Sequence, residues 1–112
     1  MGEGGRIVTI GSGIATRASF PGLADYAATK GAIVSYTRQV AGELAARGVR
    51  VNCVSPGYMR TPMSTGERLG LSLEEQDARI ESFARIVPMR RAGSVDDIAN
   101  AKVWTACTMI LP

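Results

Sequence analysis

Apolar and polar positions change rhythm several times along the chain. Residues 6–10, Arg-Ile-Val-Thr-Ile, form a short β-branched run after a glycine-rich lead and read as a strand. Residues 11–22 gather glycine, proline and small polar side chains, the composition of a loop. Beyond Leu23, the positions Ala28, Ala32, Ile33, Tyr36, Val40 and Leu44 recur close to helical spacing. They predict a helix over 23–47, with Gly48 as its left-handed stop. Residues 49–54, Val-Arg-Val-Asn-Cys-Val, read as a second strand closed by Ser55-Pro56-Gly57. Ser72 with Glu75 has the spacing of a capping box and opens a helix to about Val87, before Pro88. Ser94 with Asp97 repeats the start signal for a last helix from Val95 to about Cys107.

A strand, a helix and a second strand joined by short loops imply parallel strands with a right-handed crossover. The expected fold is therefore α/β: a piece of a Rossmann-like, doubly wound parallel sheet, strand–helix–strand plus two further helices. The length of 112 residues allows one domain, 1–112, with a core of its own.

Composition removes several kinds of chemistry. The chain has no histidine, which excludes His-based metal sites, Ser-His-Asp triads and histidine bases. Its two cysteines, Cys53 and Cys107, lie far apart without metal-ligand spacing, and Cys53 reads as a buried free thiol. No metal site is expected. The net charge of +3 is carried by scattered basic residues rather than the stripe a nucleic-acid binder needs, so no nucleic-acid partner is expected. No run approaches the roughly 18 apolar residues of a membrane span. The opening Met1-Gly-Glu-Gly-Gly lacks the regions of a signal peptide, so the expected compartment is the cytoplasm.

The sharpest chemical signal is Tyr26-Ala-Ala-Thr-Lys30. Residues four apart on a helix lie on one face, one turn above the other. Phenols ordinarily titrate near ~10, too high for easy proton exchange at neutral pH. An ammonium about 5 Å away, at an effective dielectric of about 20, favours the phenolate by roughly 3 kcal/mol. That turns a phenol into a usable general acid/base. Taken alone, the pair is better read as a half-buried tyrosine beside a snorkelling lysine.

Four segments in order carry a family resemblance. They are Gly5-Arg-Ile-Val-Thr-Ile-Gly-Ser12, Tyr26-x-x-x-Lys30, Val49-Arg-Val-Asn-Cys-Val-Ser-Pro-Gly57 with Thr61 beyond it, and Pro88-Met-Arg-Arg-Ala-Gly-Ser-Val-Asp-Asp-Ile-Ala99. Together they resemble the short-chain dehydrogenase/reductases, including 3-oxoacyl-acyl-carrier-protein reductase-like and sugar or alcohol dehydrogenase-like members. The resemblance runs from Gly4 to about Ala106. It implies hydride transfer between NAD or NADP and a small alcohol or ketone. Ser12 would hydrogen-bond the substrate oxygen, Tyr26 would act as the acid, and Lys30 would hold Tyr26 and the nicotinamide ribose. Pro56, Gly57 and the backbone of Met59 would line the nicotinamide, with Thr61 reaching its carboxamide. Residues 63–86, with Leu69, Leu71, Leu73 and Phe83, would form an apolar substrate lid, or else an ordinary amphipathic helix on a core. The 23–47 helix often packs in subunit interfaces of the family, which implies a homo-oligomer.

The chain also departs from the pattern. The family opens with a glycine-rich strand-to-helix turn that cradles the pyrophosphate. Here Gly2-Glu-Gly-Gly5 precedes the first strand instead. The family's Asn-Asn-Ala-Gly strand is absent, Ser12 and Tyr26 are one residue further apart than usual, and no last strand follows Ile98-Ala99. Met1 reads as an internal methionine, and the chain as a carboxy-terminal portion lacking the cofactor turn and last strand. Binding of NAD or NADP by this chain alone is then in doubt. The alternative expectation is an inactive fragment acting at most as an interaction or oligomerisation module.

Overall fold

The computed structural model describes residues 1–108. They fall into two compact units: Met1–Pro56 together with the chain from Asn100 onward, and Gly57–Ala99. The expectation of no strand at the carboxy-terminal end falls on residues 109–112, outside the described residues.

The first unit is built on two parallel strands, β1 (Arg6–Ile10) and β2 (Arg50–Val54), joined by helix α1 (Ala24–Ala45). Arg6 pairs with Arg50 and Ile10 with Val54 in an unbroken register. The pairing continues past the strands, because Gly11 N–H donates to Val54 O at 2.8 Å and Gly13 N–H to Pro56 O at 2.9 Å. At the other end, Gly4 and Gly48 both take left-handed φ values, of 82° and 66°. They are joined by a 3.1 Å bond from Gly4 N–H to Gly48 O. Glycine adopts this backbone without the Cβ penalty, so the chain reverses sharply on both sides of the strand starts. There Arg6 Nε and Arg50 Nη2 both donate to the Ala106 carbonyl, at 2.9 and 2.7 Å. Val49 and Val51 are buried beneath α1, and Thr105 is buried as well.

Helix α1 bears out half of the expected apolar stripe and corrects the rest. Ala28, Ala32 and Tyr36 face solvent, Tyr36 at 68% exposure. The covered side runs through Ala27, Lys30, Ile33, Val34, Thr37, Val40, Ala41 and Leu44, so Ile33, Val40 and Leu44 of the expected stripe lie on it. Two of the covered positions, Lys30 and Thr37, are polar and meet the strand by hydrogen bonds, so counting apolar residues alone passed over them. The helix also starts at Ala24 and ends at Ala45, inside the expected 23–47; the last residues before Gly48 form a turn.

The second unit holds a short helix α2 (Pro62–Thr65), a 3-10 turn at Glu67–Leu69 and helix α3 (Leu73–Ala84). Sequence periodicity gave no sign of the first two, since four residues are too few to show a period. Gly66 (φ 85°) ends α2, and a Cβ there would lie 2.5 Å from Leu71 Cδ1. The Ser72–Glu75 capping box is present as expected, with Ser72 N–H on Glu75 Oε2 at 2.7 Å. Helix α3 stops at Ala84, three residues before Val87, because the chain tightens into i→i+3 turns ahead of Pro88. Helix α4 spans Val95–Thr108 and starts on the reciprocal Ser94–Asp97 cap.

Candidate functional site

The first unit brings Ser12, Tyr26, Lys30 and Pro56 to the carboxyl ends of β1 and β2. That is where open α/β sheets place their ligands. Ser12 directly follows Gly11 beyond β1 and caps a 3-10 turn at Gly13–Ala15, accepting from Ile14 N–H at 3.4 Å. A serine that accepts still has its own proton to donate. Lys30 Nζ donates to Ile10 O, the last carbonyl of β1, at 3.2 Å. The same ammonium lies over the Tyr26 ring, 5.8 Å from its centroid. Tyr26 is 37% exposed, with one ring face meeting the ammonium. One turn of helix and one strand end thus hold a cation, a phenol and a hydroxyl-bearing turn at the same end of the sheet.

Gly11 supplies the close approach that this arrangement needs. A Cβ at residue 11 would lie 2.8 Å from Ser55 Oγ, 2.9 Å from Cys53 Sγ and 3.1 Å from Val34 Cγ2. No side chain fits between β1 and its neighbours at the point where the chain turns toward Ser12. Cys53 is half-buried rather than buried, with a free thiol.

Sequence reasoning missed Thr9 and Thr37. Their hydroxyls meet at 2.7 Å, and Thr37 is 4% exposed. The available signal was positional: Thr37 lies seven residues after Lys30, two turns along the same face.

The second unit opens with Gly57, Met59 and Thr61. A Cβ at Gly57 would meet nothing within 4 Å, and its φ lies outside the left-handed region. Neither packing nor backbone geometry requires glycine there. Met59 bridges Gly93 in parallel fashion, with Gly93 N–H on Tyr58 O at 2.8 Å and Arg60 N–H on Gly93 O at 2.9 Å. That pattern turns Met59's own N–H and carbonyl away from Gly93. The carbonyl takes the Ser64 hydroxyl. Thr61 caps α2, its hydroxyl accepting from Ser64 N–H at 3.4 Å.

The residues expected to form a lid divide. Leu69 and Leu73 are exposed, whereas Leu71 packs on Gly66. Phe83 stacks on Tyr58 with ring centroids 5.0 Å apart and 13° between planes, and Arg79 sits 5.6 Å from the Phe83 centroid. Arg60 and Asp77 form a 2.5 Å ion pair. The largest electrostatic shift lies at the start of α4. There the Arg91 guanidinium, then the Ser94 backbone and hydroxyl, hold the Asp97 carboxyl well below the ordinary aspartate range. The same hydrogen bond raises Arg91.

Comparison with known proteins gives these arrangements a family. A family model described as enoyl-(acyl carrier protein) reductase matches residues 1–109. The chain is 42% identical over 106 residues to the uncharacterized oxidoreductase YgfF of Escherichia coli, covering 92% of this chain and 39% of that protein. It is 39% identical over 103 residues to galactitol 2-dehydrogenase (L-tagatose-forming) of Cereibacter sphaeroides, covering 91% of this chain and 38% of that one. A crystal structure of a short-chain dehydrogenase/reductase of unknown function from Caenorhabditis elegans, with cofactor, superposes with a TM-score of 0.80. Its sequence identity is 32%, over 92% of this chain and 38% of that one. A short-chain dehydrogenase from Burkholderia cenocepacia in complex with NADP gives a TM-score of 0.77 at 34% identity, covering 95% of this chain and 40% of that one. The chain spans about two fifths of the length of these relatives. With the family model matching nearly its whole length, the chain belongs to the short-chain dehydrogenase/reductases.

Proposed function

We propose that this chain supplies the proton-transfer end of a nicotinamide-dependent oxidoreductase acting on a small alcohol or ketone. The observation that carries the reading is the Lys30 ammonium, held on the last carbonyl of β1 and lying over the Tyr26 ring, at the strand end that leads to Ser12. In the reducing direction Tyr26 gives its proton to the substrate oxygen. Ser12 donates a hydrogen bond to that oxygen, and its capping bond leaves this proton available. Lys30 holds the Tyr26 ring in place from its face. In the oxidising direction the same groups take the proton away.

The residues present fit the nicotinamide end of a dinucleotide. Gly57 leaves open space where a side chain would stand, and Met59 N–H has no partner among the described residues. Pro56, Gly57, Met59 and Thr61 would hold the nicotinamide, and Lys30 the ribose. When bound, the nicotinamide supplies or accepts the hydride. Relatives with NADP and with NAD+ are both known structures, so either cofactor suits this reading. A second reading, an interaction module, is favoured by the exposed Ala28, Ala32 and Tyr36 on the outer face of α1.

The test joins this chain to the amino-terminal portion of a relative and compares Tyr26 with Tyr26→Phe. Loss of a positioned acid lowers turnover by a factor on the order of 10²–10⁴. Cofactor affinity stays within a few-fold. Substantial ketone reduction by the Phe variant would remove Tyr26 from the acid's role.

A further inference from the structure

We propose that Thr9 and Thr37 are positioning residues that set where Lys30 stands against β1. The proposal rests on the reading of Tyr26 and Lys30 as the reacting pair.

Thr37 is the buried residue of α1. A hydroxyl so covered must be bonded or its burial is costly. It donates to Ile33 O, one turn back, at 2.7 Å. Its single proton is then spent, so the 2.7 Å contact with Thr9 is completed by the Thr9 proton. Asn52 O is a second, longer acceptor for the Thr9 proton at 3.4 Å, which places the hydroxyl pair where β1, β2 and α1 meet. The result is a directed chain, from Thr9 O–H to Thr37 Oγ1 and from Thr37 O–H to the helix backbone.

Lys30 lies seven residues before Thr37, about 10 Å along the helix axis. Its ammonium bonds the carbonyl of Ile10, the residue after Thr9. Helix and strand are therefore tied at two points. Two ties separated along the axis fix both slide and rotation, whereas one allows the helix to pivot. The Lys30–Ile10 bond is half-buried and open to competition from water, so it does not hold that geometry alone. The inner tie is anchored on Thr37, which is 4% exposed, and it sets the distance the Lys30 side chain must span.

The experiment follows the isotope-labelled chain by NMR and reads the exchange of the Lys30 ammonium protons with water, together with the Tyr26 ring resonances. Thr9→Val keeps the shape and the Thr37–Ile33 bond but removes the donor. It should speed Lys30 exchange by at least about fivefold, the ratio expected for one net hydrogen bond, and move the Tyr26 ring signals. Thr9→Ser, which keeps the hydroxyl, should return exchange to near the wild-type rate. Thr9→Cys, a weaker donor of similar size, should fall between. Unchanged Lys30 exchange in a folded Thr9→Val or Thr9→Cys chain overturns the proposal, as does failure of Thr9→Ser to restore it. No turnover is read, so failure here leaves the proposed reaction standing, and failure of the Tyr26→Phe test leaves this one.

Discussion

Gly11 shows how much of the candidate site depends on a missing side chain. Its φ is not left-handed, so the requirement is purely steric. A methyl group there meets the Ser55 hydroxyl, the Cys53 thiol and a Val34 methyl, all closer than ordinary contact. Gly11→Ala should cost about 1–3 kcal/mol, the usual range for overpacking, read as a lower urea midpoint. Cys53→Ala removes the nearest atom on β2 and should restore part of the loss. Equal losses in the two backgrounds would show that the crowding lies elsewhere. At this scale much was legible in the sequence: Ser12, Tyr26, Lys30 and Pro56 were named from spacing and resemblance, and the structure places them at one end of the strands. Thr9 and Thr37 were not legible, because a threonine in a strand or a helix carries no mark of the partner it meets across the fold. Thr61 was read only as a cofactor contact, whereas its hydroxyl caps a four-residue helix that no periodicity could announce.

Among the elements, the capping signals of α3 and α4 translate directly into geometry, because each is a local pattern within four residues. The covered face of α1 does so only in part: Ile33, Val40 and Leu44 follow the periodicity, whereas Lys30 and Thr37 are placed by bonds to residues distant in sequence. The cap of α4 gives a pH prediction. The Arg91 guanidinium holds the folded Asp97 carboxyl below the ordinary aspartate value of 3.8. The stabilisation is therefore complete above the ordinary value and disappears as pH falls through the depressed one. Acid should loosen the start of α4 only below the normal carboxylate range, with no change between pH 5 and 8, the neutral side of aspartate titration. Arg91→Ala should bring the transition back up toward the ordinary value, followed by the Asp97 side-chain carbonyl shift in an acid titration. An identical titration in that variant would show that Ser94 alone holds the carboxylate. Both side chains are about half exposed, so added salt should weaken the difference.

Over the whole molecule, the order strand, helix, strand, then helices was legible because each element has its own rhythm. The division of the described residues into two units was not, since it depends on which elements pack together. Each strand has one neighbour among the described residues, leaving an unpaired edge on either side. A cavity of about 710 Å³, lined in part by Val34, Ala41, Val49, Val51 and Cys53, opens between α1 and β2. Parallel sheets are normally covered on both faces. The purified chain should accordingly run as a dimer or larger species in sedimentation velocity and melt broadly. A monomer with a sharp transition above about 60 °C, near the top of the mesophile range, would show that it is self-sufficient. The paired guanidiniums of Arg6 and Arg50 on the Ala106 carbonyl carry a last implication. They clamp the starts of the strands, while Ser12 and Lys30 occupy the finishes, so the clamp and the proposed proton-transfer groups stand at opposite poles of the same two strands. An engineer can harden the clamped pole for heat resistance and leave the opposite pole untouched.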